Sequence, residues 1–222
     1  MDDSTNGETD NLKIARNYLE ARGVLAKTAT ELYVQLVEQP PPDVLHKFLH
    51  FIPEPAPEAV IVIPNLIEDS GKTLIDGYSL RFFPPNDFNG KSRKFLRTKG
   101  SEFRPYIPPS VYRVASKLGI PLFIVEKQVA AMLLYQLGFY GIALEGTWGT
   151  GQPQTEEEKV KNARRVLHRD LAKFSWVGRK VFLCFDSDFT RRESVLEGLI
   201  RSFILFTVVG ASVKRNPHPP RS

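Results

Sequence analysis

Lys180-Val-Phe-Leu-Cys-Phe-Asp-Ser-Asp188 runs five apolar residues, Val181 to Phe185, straight into two carboxylates at i and i+2. A run without polar alternation suits a strand buried on both faces, as in the centre of a parallel sheet. Open α/β sheets bind their ligands at the carboxyl ends of such strands. Adjacent carboxylates resist joint ionisation, so a divalent cation or a donor-rich substrate is their natural partner. Equally, Asp188 is placed to cap a helix beginning near Thr190.

Working outward, the chain before this stretch reads as a β-α-β unit. Ile120 to Val125 is an apolar strand ending at Glu126, Lys127 to Leu137 is helical with Gly138 as its stop, and Tyr140 to Leu144 is a second strand. After it come a helix from about Thr190 to Phe206 and a fourth strand at Ala211 to Val213. Between the second and third strands, Gly146, Gly149 and Gly151 surround Trp148 at spacings that fit no dinucleotide fingerprint. Thr155 to Phe174 reads as a charged helical insert, acidic at its start and basic after, which the helix dipole accounts for. A parallel sheet would bring Glu126, Asp186 and Asp188 to one edge, which is a magnesium site in outline.

The first half differs in character. Residues 1 to 9 are acidic and polar; Asn11 to Arg22 and Thr28 to Glu38 read as helices, and Asp43 is placed to cap a short third helix carrying His46 and His50, a pair read as surface histidines. Pro53-Glu-Pro-Ala-Pro57 reads as a semi-rigid linker. Val60 to Pro64 and Thr73 to Phe83 are strands joined around Asp69-Ser-Gly-Lys72, a turn rather than a phosphate loop, because Leu66 stands where such a loop needs glycine. From Arg81 to Tyr106 basic residues, among them Lys91, Arg93, Lys94, Arg97 and Arg104, interleave with Phe82, Phe83, Phe88, Phe95 and Phe103. Cations for phosphates and rings for stacking suit single-stranded DNA or RNA, while a solvated β segment with core aromatics explains the same pattern. The expected divisions are a helical segment and linker at 1–58, a basic and aromatic β segment at 59–110, an α/β domain at 111–215 and a tail at 216–222.

Composition sets the limits. A net charge of +5 and a pI near 9.3 make polyanionic partners plausible. One cysteine, Cys184, leaves no disulfide framework and no thiol-rich metal site. No signal peptide opens the chain, and Phe203 to Val213 is too short to cross a bilayer, so a cytoplasmic protein without membrane contact is expected.

Taken in order, Pro121-Leu-Phe-Ile-Val-Glu126, Gly138-Phe139, Gly146-Thr-Trp-Gly149, Trp176-Val-Gly-Arg179 leading into Val181 to Asp188, and Gly210-Ala-Ser-Val213 resemble a Toprim-like family of unknown function. That family is attached to phage and plasmid primase or replication proteins. The resemblance covers about residues 105 to 213. It implies a Toprim-like Rossmannoid α/β fold, with a mainly parallel central sheet flanked by helices and preceded by a small helical segment and a β-hairpin. It further implies that Glu126 is a general acid or base or a metal ligand, and that Asp186 and Asp188 hold Mg2+ or Mn2+ against a nucleotide phosphate. The implied activity is primase-like nucleotidyl transfer or nuclease chemistry in DNA replication, with a replicative helicase or helicase domain as a further partner.

Three departures favour a catalytically weakened binding module as the alternative. Lys127 stands where family members usually have glycine and is placed to neutralise the site or contact phosphate; Ala130 replaces a further acid of primases; and only 34 residues follow Asp188, which fits a truncated chain. Asp186-Ser-Asp188-Phe-Thr190 also matches the opening of haloacid-dehalogenase-type phosphatases, but too little chain follows for the rest of that fold and Glu126 would have no role.

Overall fold

A computed structural model describes residues 10–88, 91–144, 146, 149–152, 157, 166–185 and 193–215. The chain forms two compact units, Met1–Ile67 with Leu74–Glu102, and Glu68–Thr73 with Phe103–Ser222. The segment from Pro53 to Pro57 lies inside the first unit, with both of those prolines buried.

In the first unit α1 (Asp10–Glu20) buries Ala15 and Leu19 at i and i+4, and α2 (Ala26–Glu31) follows. The expected helix from Thr28 to Glu38 is not formed. Val34 N–H bonds Ala29 O and Tyr33 N–H bonds Thr30 O, with Tyr33 at φ 57°, which closes α2 in a Schellman-type cap. The chain then continues as β1 (Gln35–Glu38), antiparallel to β2 (Ala59–Asp69) from Gln35↔Val62 to Glu38↔Ala59. Thr28 is a buried interior residue of α2, and the N-cap Leu25 makes no side-chain bond, so no capping box exists there. α3 (Pro42–Leu49) has Pro41 rather than Asp43 as its N-cap, and sets Leu45, Phe48 and Leu49 on Val60, Val62, Leu80 and Phe82. His46 and His50 are both exposed, and His50 is the left-handed C-cap, off the helical spacing that an i, i+4 pair requires.

β2 turns into β3 (Lys72–Phe88) through Ser70 and Gly71, at φ 51° and 77°. Two successive positive φ values are the signature of a tight I′-type hairpin, so the expected turn is present. β4 (Lys91–Arg97) adds to β3 antiparallel, and the sheet order is β1-β2-β3-β4. Between Arg81↔Phe95 and Asn86↔Arg93 the register shifts, so residues 82–85 stand against Lys94 alone.

The second unit carries β5 (Leu122–Val125), β6 (Gly141–Ala143), β7 (Lys180–Cys184) and β8 (Ser212–Arg215), all parallel in the order β6-β5-β7-β8. α4 (Pro109–Tyr112), α5 (Gln128–Gln136), α6 (Arg169–Ala172) and α7 (Glu193–Val208) accompany them. Leu122, Ile124, Val181 and Leu183 pack with Val111, Leu171, Phe174, Trp176, Leu199 and Phe206 in one core. The Trp176 indole N–H donates to Leu171 O at 2.8 Å, satisfying its one polar atom.

Arg179 is fully buried immediately before β7. Its Nη2 donates to Val114 O and Ala115 O, each at 2.9 Å, tying the turn after α4 to the entry of β7. Burial depresses its pKa, because the low-dielectric surroundings penalise the charged form.

Of the expected single helix from Thr155 to Phe174, Glu157 is helical, but Val166 to His168 are not. Leu167 makes an antiparallel bridge with Gly151, and helix restarts only at Arg169. His168 provides the cap, its Nδ1 accepting from Asp170 N–H at 3.2 Å while Nε2 lies 3.0 Å from Phe103 O. A side-chain cap of this kind ends the bridge and starts a new helical turn.

Candidate active site at the carboxyl edge of the parallel sheet

β5 leads through α5 to β6 on one side, whereas β7 lies on its other side and leads through α7 to β8. The strand order therefore reverses between β5 and β7, which is the topological switch point where open α/β sheets bind ligands. Leu122↔Val181 through Val125↔Cys184 sets the register, so the two strands end level.

Glu126 follows β5 directly and is half-buried. Lys127 is exposed and is the N-cap of α5, in an extended conformation at φ −114° and ψ 138° with no side-chain cap bond. Gln128 behind it is buried. On β7, Cys184 is half-buried and Phe185 buried; burial pushes the Cys184 thiol pKa up. Asp186 and Asp188 lie outside the described residues, as do Thr147 and Trp148. Among the described residues no cluster of three His, Cys, Asp or Glu side chains is placed to hold a metal.

The loop after β6 is seated against the same edge. Leu144 N–H donates to Val125 O at 2.9 Å, so the end of β6 holds the end of β5. Gly149 lies over Leu144, where a Cβ would stand 1.9 Å from the Leu144 carbonyl oxygen. The glycine that the sequence offered only as part of a loose loop is thus required by close backbone approach.

The basic and aromatic segment is sorted by its strands. Leu96 packs with Leu80 in the core beneath α3, whereas Phe95 meets Arg81 on the opposite face. Alternation therefore puts Arg93 and Arg97 with Phe95, and Lys94 with Leu96. Arg93, Lys94 and Phe95 are exposed and Arg97 half-buried; nothing is described of the Lys91 side chain. Several members of the expected patch are structural instead: Phe82 and Phe83 are buried, Phe82 in the core beneath α3. Arg104 is buried and paired with Asp170 at 3.6 Å, and Tyr106 is fully buried in an antiparallel bridge with Ala143.

Tyr18 and Arg22, which the sequence did not single out, join Arg81 on this face. The Tyr18 ring lies between the guanidiniums of Arg22 and Arg81, at 3.7 and 3.9 Å from its centroid, and Arg81 also lies 5.1 Å from Phe83 and 4.9 Å from Phe95. Burial depresses the Arg81 pKa. The i, i+4 spacing of Tyr18, near the end of α1, and Arg22, in the turn after it, was the one local signal of this stack.

Three solved structures share the architecture. The Aquifex aeolicus primase, comprising zinc-binding and RNA polymerase domains, aligns over 93% of this chain and 50% of its own at TM-score 0.55 and 17% identity. The E. coli primase catalytic core aligns over 94% and 67% at 0.53 and 16%, and a DnaG primase catalytic domain bound to ssDNA over 95% and 68% at 0.51 and 17%.

The chain has a primase-like Toprim fold.

Residues 112–220 match the family described as a domain of unknown function (DUF3854), just under half of the chain. No curated protein matches by sequence. The chain spans half the length of the Aquifex primase chain and about two thirds of the other two. The Toprim-like part is the second unit, with the expected parallel sheet and flanking helices; the preceding region is a four-stranded sheet rather than a hairpin alone. No helix of the described residues is long and apolar enough to cross a membrane.

Proposed function

We propose that this is a primase-like Toprim protein of DNA replication that carries out magnesium-dependent nucleotidyl or phosphoryl chemistry on single-stranded nucleic acid. The observation that carries the reading is the switch point: Glu126 leaves β5 level with the strand that runs, two residues beyond Cys184, into Asp186-Ser-Asp188. The donor set fits the ion. Three hard carboxylate oxygen donors without thiol or imidazole suit Mg2+ or Mn2+ rather than zinc.

In this reading Asp186 and Asp188 hold the ion and Glu126 either completes its shell or moves a proton at the attacking hydroxyl. When bound, the metal would supply charge stabilisation at phosphoryl oxygens. Lys127, exposed at the N-terminus of α5, contacts the nucleic-acid phosphate. Arg93 and Arg97 track the backbone on the face where Phe95 offers a stacking ring, and Lys91 and Lys94 of the same strand add charge. The Arg22–Tyr18–Arg81 stack supports this, since it places two more guanidiniums and a ring on the side of Phe95. That one structural neighbour is a primase domain bound to ssDNA agrees with it. The sequence resemblance supports a phage or plasmid setting and a helicase partner.

A primer-synthesis assay on single-stranded template, run beside a nuclease assay, tests the activity. Wild type is expected to give magnesium-dependent product that Glu126→Gln and Asp186→Asn abolish. Strand binding with no product in either assay would replace the enzyme reading by a binding module.

A further inference from the structure

We propose that the first unit carries a separate site for a phosphorylated nucleoside, in the cavity of about 310 Å3 where the end of α3 meets β3 and the turn after β4. The walls are cross-tied. Thr98 Oγ1 donates to Phe48 O at 2.6 Å and accepts from Tyr78 N–H at 2.9 Å, while Lys99 N–H donates to Leu49 O at 2.8 Å. Gly77, at φ 99°, supplies beside Thr98 a backbone conformation that a side chain would strain. Helix end, strand and turn are thereby held at fixed separation.

What lines the cavity has the chemistry of a nucleotide site. Lys47, His50 and Lys99, all exposed, face it with Asp76 as the only carboxylate. At neutral pH the two lysines outweigh that acid, and like charges gathered around one opening are relieved by an anion. Lysine ammoniums bind phosphoryl oxygens as point charges. Tyr78, half-buried and held edge-on by Phe48 at 4.7 Å and 71°, gives a ring for a base. The volume is at the low end of small-ligand pockets, about 300–1,000 Å3, which suits one nucleotide rather than a strand. No step of the proposed Toprim chemistry uses these residues.

The chemistry is shared by a free nucleotide and a 5′-phosphorylated strand end, and calorimetric titration of the full chain separates them. Adenosine monophosphate, adenosine, inorganic phosphate, and a trinucleotide with and without its 5′-phosphate are the probes, tested on wild type, Lys47→Ala/Lys99→Ala and Asp186→Asn/Asp188→Asn. Wild type and the Asp186→Asn/Asp188→Asn variant are expected to bind the monophosphate alike, and adenosine at least about tenfold more weakly, with the same loss in the lysine variant. Phosphate should compete. Binding of the phosphorylated trinucleotide as tight as that of the monophosphate would identify a strand end as the occupant; weaker binding would identify the free nucleotide. The proposal is overturned if wild type takes up no monophosphate at millimolar concentration, or if the lysine variant binds it unchanged. Because both lysines are exposed, their removal leaves the fold intact, and a thermal melt of the variant checks this.

Discussion

Substituting Gly149 with alanine should damage both the fold and the edge of the sheet that bears Glu126. The added Cβ would lie 1.9 Å from the Leu144 carbonyl oxygen and 2.9 Å from its carbon, both backbone atoms that no side-chain rotation can move. Relief requires shifting Leu144, whose N–H bonds Val125 O at 2.9 Å, and hence the end of β5. Overpacking of this kind costs about 1–3 kcal/mol. For a chain of this size, ~2 kcal/mol corresponds to a fall in Tm of about 4–8 °C. Gly138→Ala is the comparison, because Gly138 has φ 78° but open space around its Cβ position. Only backbone strain remains there, about 1 kcal/mol. Thermal melts of both variants check the ordering, and divalent-metal titration should show about tenfold weaker binding in Gly149→Ala, the usual scale for disturbed support of a metal ligand. A melt in which Gly149→Ala is no more destabilised than Gly138→Ala would refute the close approach and the link to Glu126.

Arg179→Ala strips two charge-assisted bonds from the Val114 and Ala115 carbonyls, which keep their backbone bonds from Lys117 and Ser175 N–H, so stability should fall by about 1.5–3 kcal/mol in denaturant titration; an unchanged midpoint would show those bonds contribute nothing net. Cys184, with its thiol pKa raised by burial, should alkylate more slowly than free cysteine at neutral pH, catching up as pH rises; equal rates at neutral pH would contradict its placement. Replacing Lys91, Arg93 and Lys94 with alanine should lower the salt dependence of single-strand binding by a slope of up to about 2, whereas Phe95→Ala should cost ~1–3 kcal/mol at unchanged slope. Fluorescence anisotropy with a labelled thymidine oligonucleotide reads both, and identical curves would assign the segment to plain solvation.

The parallel sheet was legible because its strands are short apolar runs with little competing reading. Leu122 to Val125 and Val181 to Cys184 carry no helical period, and Gly138 ends the helix between them. The stretch from Thr28 to Glu38 was not legible, since Leu32, Leu36 and Val37 satisfy a helical stripe and the break is made by Tyr33 at positive φ, a residue type that rarely signals one. The described end of the charged insert failed for a similar reason: the cap is a histidine, and the Gly151–Leu167 bridge before it joins residues remote in sequence. Composition grouped Arg104 and Tyr106 with Arg93 and Phe95, and only long-range partners separated them. At the candidate site Glu126 was legible from its position at a strand end, which the fold reproduces, while the seating of Gly149 on Leu144 depends on a backbone approach that spacing does not encode.

Calorimetric titration of Mg2+ and Mn2+ into the wild-type chain and into an Asp186→Asn/Asp188→Asn variant bears most directly on the proposed metal site. Saturable binding to wild type that the variant loses, and that Glu126→Gln weakens, is the expected result. Equal binding by wild type and the double variant, or none by either, would contradict a carboxylate metal site at the β5–β7 edge.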